Sequence, residues 1–218
     1  MWLTILSWFL RPVGKVLGAF VGFWLKNHSR HKSTLPDSMK KTRDTRAAMS
    51  EMRVLAGADR VVIFQFHNGG YFSNHNPQWR ISCTDEVHGP GVLPAGSEVQ
   101  ALFASRVTEI VGHLFDPATP PPHTCPEDIG GRKVFTVDIA SMPTSFAKMI
   151  LVTQGVNTFI QLPLYDLQGM VFGYLALDYC NFGHPMTDPD FAPKLPQIVD
   201  YTNRIEFLIN EHGAKPKR

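Results

Sequence analysis

The chain carries no Walker loop, no GxGxxG, no GxSxG, no kinase signature and no HExxH. It has three cysteines, Cys83, Cys125 and Cys180, an odd number with no CxxC among them. That excludes a disulfide framework and a cysteine-bound zinc, and free thiols fit a reducing compartment. No uninterrupted apolar run reaches the roughly 20 residues that a membrane-spanning helix needs. With 44% hydrophobic residues, 18% charged and 15 phenylalanines in 218 positions, the chain is neither disordered nor collagen-like. Its length suits one ordinary domain with appendages.

The net charge of +2 averages two unlike parts. Residues 1–46 hold nine Lys or Arg against two acids, Asp37 and Asp44, while the remainder is mildly acidic. A basic leading segment points to an anionic surface near it. That segment opens with two ten-residue apolar runs, Met1–Leu10 and Val16–Leu25, separated by Arg11 and Lys15. Two central charges oppose a single span by about 2.5–3.5 kcal/mol each. A secretory signal fits poorly, because no basic region precedes the first run and no small-x-small site closes the second. The better reading is two amphipathic pieces in a membrane interface. Trp2, Trp8 and Trp24 would sit at headgroup level, and Lys15 and Lys26 beside anionic lipid. Burial of this arm against another protein is the alternative, and a tilted span with snorkelling charges remains within the membrane reading.

His28–Pro36 is polar and reads as a linker. Met39–Ala56 is expected to be a helix with a narrow apolar stripe, capped by Asp37 or Ser38. Arg60–His67, rich in β-branched and aromatic residues, predicts a strand, and Trp79–Glu86 a second. The spacing of Val99, Leu102, Phe103, Val107, Ile110, Val111 and Leu114 predicts a helix over 98–115. A proline-rich surface loop follows at 117–126, then a strand at 133–137 and a short helix at 144–154. Thr158–Leu164 and Met170–Tyr179 flank a turn at 165–169 and predict a hairpin. A last helix is expected after Asp188–Asp190, running to about Glu211. Helices interspersed with antiparallel strands describe an α+β layer fold with one antiparallel sheet flanked by helices.

Ala58-Asp59-Arg60-Val61, Phe159–Gly169 and Phe172-Gly173-Tyr174-Leu175-Ala176-Leu177-Asp178 together resemble a GAF domain, over about Met39–Glu211. The resemblance implies a GAF/PAS-like fold that binds a small molecule or serves as a dimerisation or signalling module. Phe66–Gly70 with Ser82–Glu86 is similar to GAF-like proteins of tailed bacteriophages. The implied organisation is an apolar helical arm at 1–26, a basic linker at 27–37, a GAF-like domain at 38–212 and a basic tail at 213–218.

The implied pocket lies over the sheet, between the Phe64–Tyr71 and Cys83–Glu86 strand ends, the 71–78 loop and the Phe146–Gln154 helix, and points to Phe66, His67, Asn68, Tyr71, Cys83, Asp85 and Glu86 as ligand-binding candidates. His67 and His75 with Asp85 or Glu86 would be a metal set only without supporting spacing, so no metal is expected. The plainer reading gives His67 and Asn68 turn hydrogen bonds and lets Asp85 and Glu86 satisfy loop amides. One GAF-like enzyme class reduces free methionine sulfoxide with a reactive and a resolving cysteine, which raises Cys83 and Cys125. Nothing beside Cys125 except His123 would activate a thiol. The basic stretch 26–46 lacks interleaved aromatics, so nucleic acid is not an expected partner.

The expectation is a non-enzymatic, membrane-associated binding or interaction module with its globular part in the cytoplasm. Protein partners or a homodimer are expected, a small-molecule ligand is open, and no cofactor is named. The alternative is a bacteriophage virion or assembly protein whose arm is buried among other subunits.

Overall fold

A computed structural model of the chain describes residues 35–71, 73, 75, 77–181 and 189–210. The arm, with Trp2, Trp8, Trp24, Lys15 and Lys26, lies outside the described residues, as do Asp188 and the tail. Among the described residues, no helix is long and apolar enough to cross a membrane.

Helix α1 runs Leu35–Ala56. It buries Thr45, Ala48, Met49, Met52 and Ala56, the 3–4 spacing of one helical stripe. Gly57 at φ +64 ends it in the left-handed conformation that glycine takes without strain. The chain then forms β1 (Arg60–Tyr71) and β2 (Pro77–His88), an antiparallel pair with a register shift between Ile63 and Phe64. A two-residue strand β3 (Leu102–Phe103) borders β2, and helix α2 (Thr108–Phe115) follows. Strands β4 (Thr124–Ile129) and β5 (Arg132–Asp138) make a hairpin, and helix α3 (Phe146–Thr153) follows. Ser145 caps α3, its hydroxyl accepting from the Lys148 amide. Strands β6 (Thr158–Tyr165) and β7 (Val171–Tyr179) form the predicted hairpin, and helix α4 (Leu195–Asn210) closes the described chain.

All seven strands join one antiparallel sheet in the order β3-β2-β1-β7-β6-β5-β4. The strand period of two sorts the side chains. Val61, Ile63, Ile160, Leu162, Leu175 and Leu177 pack with α1 and α4 on one face. Val62, Phe64, Phe159, Tyr174 and Ala176 pack with α2 and α3 on the other. With both faces covered, the central strands are nearly continuous in apolar residues. Gly173 stands where β7 passes close to β1: a Cβ there would collide with the Phe64 carbonyl oxygen.

The α+β architecture is as expected from the sequence, with two local differences beyond an α1 that begins at Leu35, so that Asp37 and Ser38 lie within its first turn rather than cap it. The helix expected over 98–115 is α-helical only from Thr108, after a single 3-10 turn at Ala104–Arg106. Ala101 takes φ +52, Leu102 and Phe103 pair with Ile81 and Arg80, and the Val99 carbonyl accepts from the Cys83 amide. The open edge of β2 captures this backbone, while Val99, Val107, Ile110, Val111 and Leu114 still reach the core. The second difference is β4, which lies partly in the expected loop. It is an edge strand, the place in a sheet where Pro126 removes no needed donor.

Candidate functional site

Between the sheet and the pair α2 and α3 is a cavity of about 40 Å³. Its wall is apolar: Phe64, Ile81, Ile110, Ile150, Phe159 and Tyr174 supply most of it. At one end, Asp178 from β7 and Gln154, just past α3, bring the polar atoms.

Those two side chains are held by Arg60, the first residue of β1, which has no exposed surface. Arg60 donates from Nε to Asp178 Oδ2 at 2.7 Å, and its Nη2 lies at the same distance from that oxygen. Nη1 donates to the Leu93 carbonyl at 2.7 Å, and Nη2 also reaches Gln154 Oε1 at 3.3 Å. Burial pushes the Asp178 carboxyl above the ordinary carboxylate range, against the pull of Arg60. Charged groups survive so deep only when paired and hydrogen-bonded.

The contact with Arg60 also fixes the orientation of the Gln154 amide. A guanidinium only donates, so it must face the carbonyl oxygen. The Gln154 Nε2 is therefore turned elsewhere, and it is buried with no hydrogen-bond partner. A buried amide donor left unpaired costs about 1–3 kcal/mol.

A second buried polar group lies on the same side of the sheet. His113 Nε2 meets Gln161 Oε1 at 2.7 Å, and Gln161 Nε2 donates to the Ile110 carbonyl. That arrangement makes Nε2 of His113 the protonated nitrogen and Nδ1 an acceptor, and Nδ1 has no partner. Burial pulls the His113 imidazole below its ordinary value, with Gln161 opposing and His123 adding to the fall.

The seven residues singled out from the sequence do not converge on the cavity, and none lines it. Phe66 and Cys83 lie on its side of the sheet, the Phe66 ring tilted against Phe115 at 5.3 Å and Tyr174 at 6.4 Å between centroids. His67 contacts Ser82 Oγ at 2.9 Å, Asn68 Oδ1 accepts from the Gly70 amide, and Tyr71 is exposed at the far end of the β1–β2 hairpin. Asp85 accepts from Arg46 of α1, on the opposite face. Glu86 accepts from the amides of Ala95 and Gly96 and so pins the loop beside the cavity. Among the described residues, no group of three or more His, Cys, Asp and Glu is placed to hold a metal. Burial, with Glu86 and Asp85 adding to it, pushes the Cys83 thiol up to about 12.

Arg60 and Asp178 stand in the stretches that carry the resemblance, and Gln154 ends the expected short helix, yet the sequence analysis singled out none of the three as a site residue. The available signal is a charge, Asp178, inside the otherwise apolar strand Val171–Tyr179, which demands a buried partner.

No family model matches the sequence and no curated protein does. Solved structures do. A red/green cyanobacteriochrome in its red-light-absorbing state matches with a TM-score of 0.54 at 16% identity, over 78% of this chain and 94% of that one. A phycocyanobilin-bound GAF domain from a cyanobacterial phytochrome matches at 0.49 and 16%, over 82% and 88%. The blue-light-absorbing form of the Thermosynechococcus elongatus PixJ GAF domain matches at 0.47 and 13%, over 84% and 99%. The fold is GAF-like, and at such identities the likeness speaks of the fold alone.

Proposed function

We propose that the chain is a non-enzymatic, small-ligand-binding module, held at a membrane surface by residues 1–26. The observation that carries the ligand half is the apolar cavity with Gln154 and Asp178 in its lining. An apolar cleft with a few placed polar groups is the usual form of a small-molecule site. GAF-like folds in the matched structures include a phycocyanobilin-bound domain. A tetrapyrrole does not fit here: sites for drug-sized ligands take about 300–1,000 Å³, against about 40 Å³ in this chain.

Against the cysteine-based reductase stands Cys83. A nucleophilic cysteine needs a depressed pKa, and Cys83 is pushed the other way. Membrane attachment, and with it a cytoplasmic globular part, rests on the arm's sequence: Trp2, Trp8 and Trp24 with Lys15 and Lys26. Burial of the arm in a bacteriophage particle is the competing reading.

Two measurements test this. The full chain should float with anionic liposomes, and a chain lacking residues 1–35 should not. Recovery of the chain only in particles, with no liposome flotation, overturns the membrane half. A thermal-shift screen of the full chain against small metabolites should raise Tm for at least one compound, and no shift anywhere overturns the ligand half.

A further inference from the structure

We infer that the end of the sheet carrying the tip of the β1–β2 hairpin is a second membrane contact, where Tyr71 and Trp79 enter the headgroup layer of an anionic bilayer. This rests on the membrane reading of residues 1–26 and adds the surface that the folded domain turns to the lipid.

The topology gathers exposed apolar side chains at that end. Strand β1 pairs with β7 only from Arg60 to Gln65, yet it continues along β2 to Tyr71. Strand β3 meets β2 only at Arg80 and Ile81. From Asn68 to Tyr71 and from Pro77 to Trp79 the hairpin therefore projects with neither neighbour beside it. The strand rise carries Tyr71 about 20 Å beyond Gln65. Tyr71 is 66% exposed and Trp79 53%. The adjacent β6–β7 turn points the same way, because Gly173 of β7 lies opposite Gln65, and it exposes Leu167 and Met170. Helix α4 ends there too: Asn210 donates to the Tyr165 carbonyl, and Phe207, about one turn earlier, is exposed.

The chain also enters the domain at this end. Helix α1 finishes beside the start of β1, where the Tyr179 hydroxyl donates to the Ala56 carbonyl, and Arg46, further back along it, reaches Asp85. Exposed Met39 and Lys40 lie further in the same direction. Met39–Arg46 carries Lys40, Lys41, Arg43 and Arg46 against Asp44, and no Asp or Glu stands between Arg60 and Asp85. The acids at this end are engaged: Asp166 Oδ1 accepts from two amides of its own turn, Asp128 faces Lys133, Glu206 faces Arg132 and Asp116 accepts from Thr119. The 27–37 linker reaches at most about 40 Å, so an arm lying in a bilayer keeps this end close to it. Exposed Trp and Tyr beside a cationic segment is the composition of a headgroup contact with anionic lipid. Single-stranded nucleic acid would want cations among the aromatics, and Arg80, the one Lys or Arg between residues 61 and 84, lies over Phe103 and donates to the Ala101 carbonyl. A second copy of the chain would want one continuous face, whereas these side chains stand on separate tips.

The test uses the full chain with phosphatidylcholine–phosphatidylglycerol vesicles. Cys125→Ser removes the exposed thiol, and a nitroxide is attached at Tyr71→Cys, or at Val152→Cys as the control. Val152 is 57% exposed but stands with Thr158 and Asn181 at the opposite end of the sheet. On vesicles the Tyr71 nitroxide should lose collisions with a water-soluble nickel chelate and gain them with oxygen, and the Val152 nitroxide should change in neither. In the unlabelled chain, Tyr71→Ser with Trp79→Ser should weaken vesicle binding at least about tenfold, from the apolar area returned to water, and Val152→Ser should leave it unchanged. If the chain floats while the Tyr71 nitroxide stays open to nickel, the inference fails and the arm reading stands. If the chain does not float, the membrane reading fails and takes the inference with it. A Tyr71 nitroxide already shielded without vesicles means that the arm or a second copy covers this end, and overturns the inference. So does equal shielding of both nitroxides, or unchanged binding in the double variant.

Discussion

Replacing Arg60 with methionine separates the two halves of the buried ion pair. Methionine keeps the aliphatic stem and removes the guanidinium. Asp178, 4% exposed, is then left in the interior without its cation, a situation that costs about 3–5 kcal/mol. Gln154 Oε1 loses its donor as well, but neighbouring losses do not add in full. The expected loss for Arg60→Met is about 4 kcal/mol at pH 8, a large part of the 5–15 kcal/mol typical of a domain. The loss should shrink in acid. Asp178 already titrates above its ordinary value because of burial, and removing Arg60 raises it further. A group raised in the folded state stabilises fully below its unfolded value of about 3.9 and loses that contribution as pH rises through the folded value. The variant should therefore recover part of its stability, relative to the unaltered chain, between pH 8 and pH 5.5. Converting the pair to Arg60→Met with Asp178→Leu should return most of the loss, since well-packed apolar replacements of buried pairs are often neutral. Urea unfolding followed by far-UV circular dichroism at both pH values reads all of this. An Arg60→Met chain within 1 kcal/mol of the unaltered one at pH 8, or a double variant no better than the single, refutes the reasoning.

The buried imidazole gives a different pH signature. His113 is pulled down, so the unfolded chain takes up its proton, near pH 6.5, before the folded one does. Stability is full above that value and falls as pH drops through it, at up to about 1.4 kcal/mol per pH unit; His113→Gln should flatten the slope in urea titrations between pH 7.5 and 5.5. The thiols should separate by rate with a disulfide reagent at pH 8. Exposed Cys125 reacts first, Cys180, pushed up to about 11, lags, and Cys83, near 12, waits for unfolding; rapid labelling of all three would count against the burial of Cys83. Gly173→Ala drives a Cβ into the Phe64 carbonyl and should lower Tm by about 2–12 °C, from about 1–3 kcal/mol of overpacking. Glu86→Gln weakens two charge-assisted bonds to Ala95 and Gly96 and should speed exchange of those amides about tenfold; unchanged exchange would show that Glu86 does not pin the loop.

Local patterns were readable where one element decides its own structure. The β6–β7 hairpin is written in two β-rich runs around Asp166–Gly169, where Asp166 Oδ1 accepts from the amides of Gln168 and Met170. Helix α1 and strand β1 are equally local. Residues 98–107 were not readable, because their apolar spacing satisfies a helix and an edge-paired loop alike, and the free edge of β2 decides. Strand β4 buries Thr124 but leaves Cys125, Pro126 and Asp128 exposed, so it lacks the alternation that marks a strand. The site was hardest. His67, Asp85 and Glu86 drew notice as polar residues close in sequence, yet β1 and β2 aim them at different surroundings. The polar end of the cavity instead joins residues 118 and 94 positions apart, and no short window shows that meeting.

The separation between Arg60 and Asp178 also has a meaning in time. Strand β1 lies inside the sheet between β2 and β7, yet Asp178 of β7 is made 118 residues later than Arg60. At about 5–20 residues per second, synthesis leaves β1 without that partner for roughly 6–24 seconds. Contacts of such long range also slow folding once the chain is complete. Through that interval Val61, Val62, Ile63 and Phe64 form an apolar strand without β7, and β2 is the neighbour in hand to cover one of its edges. The early hairpin of β1 and β2 thus guards the nascent chain before its cavity exists.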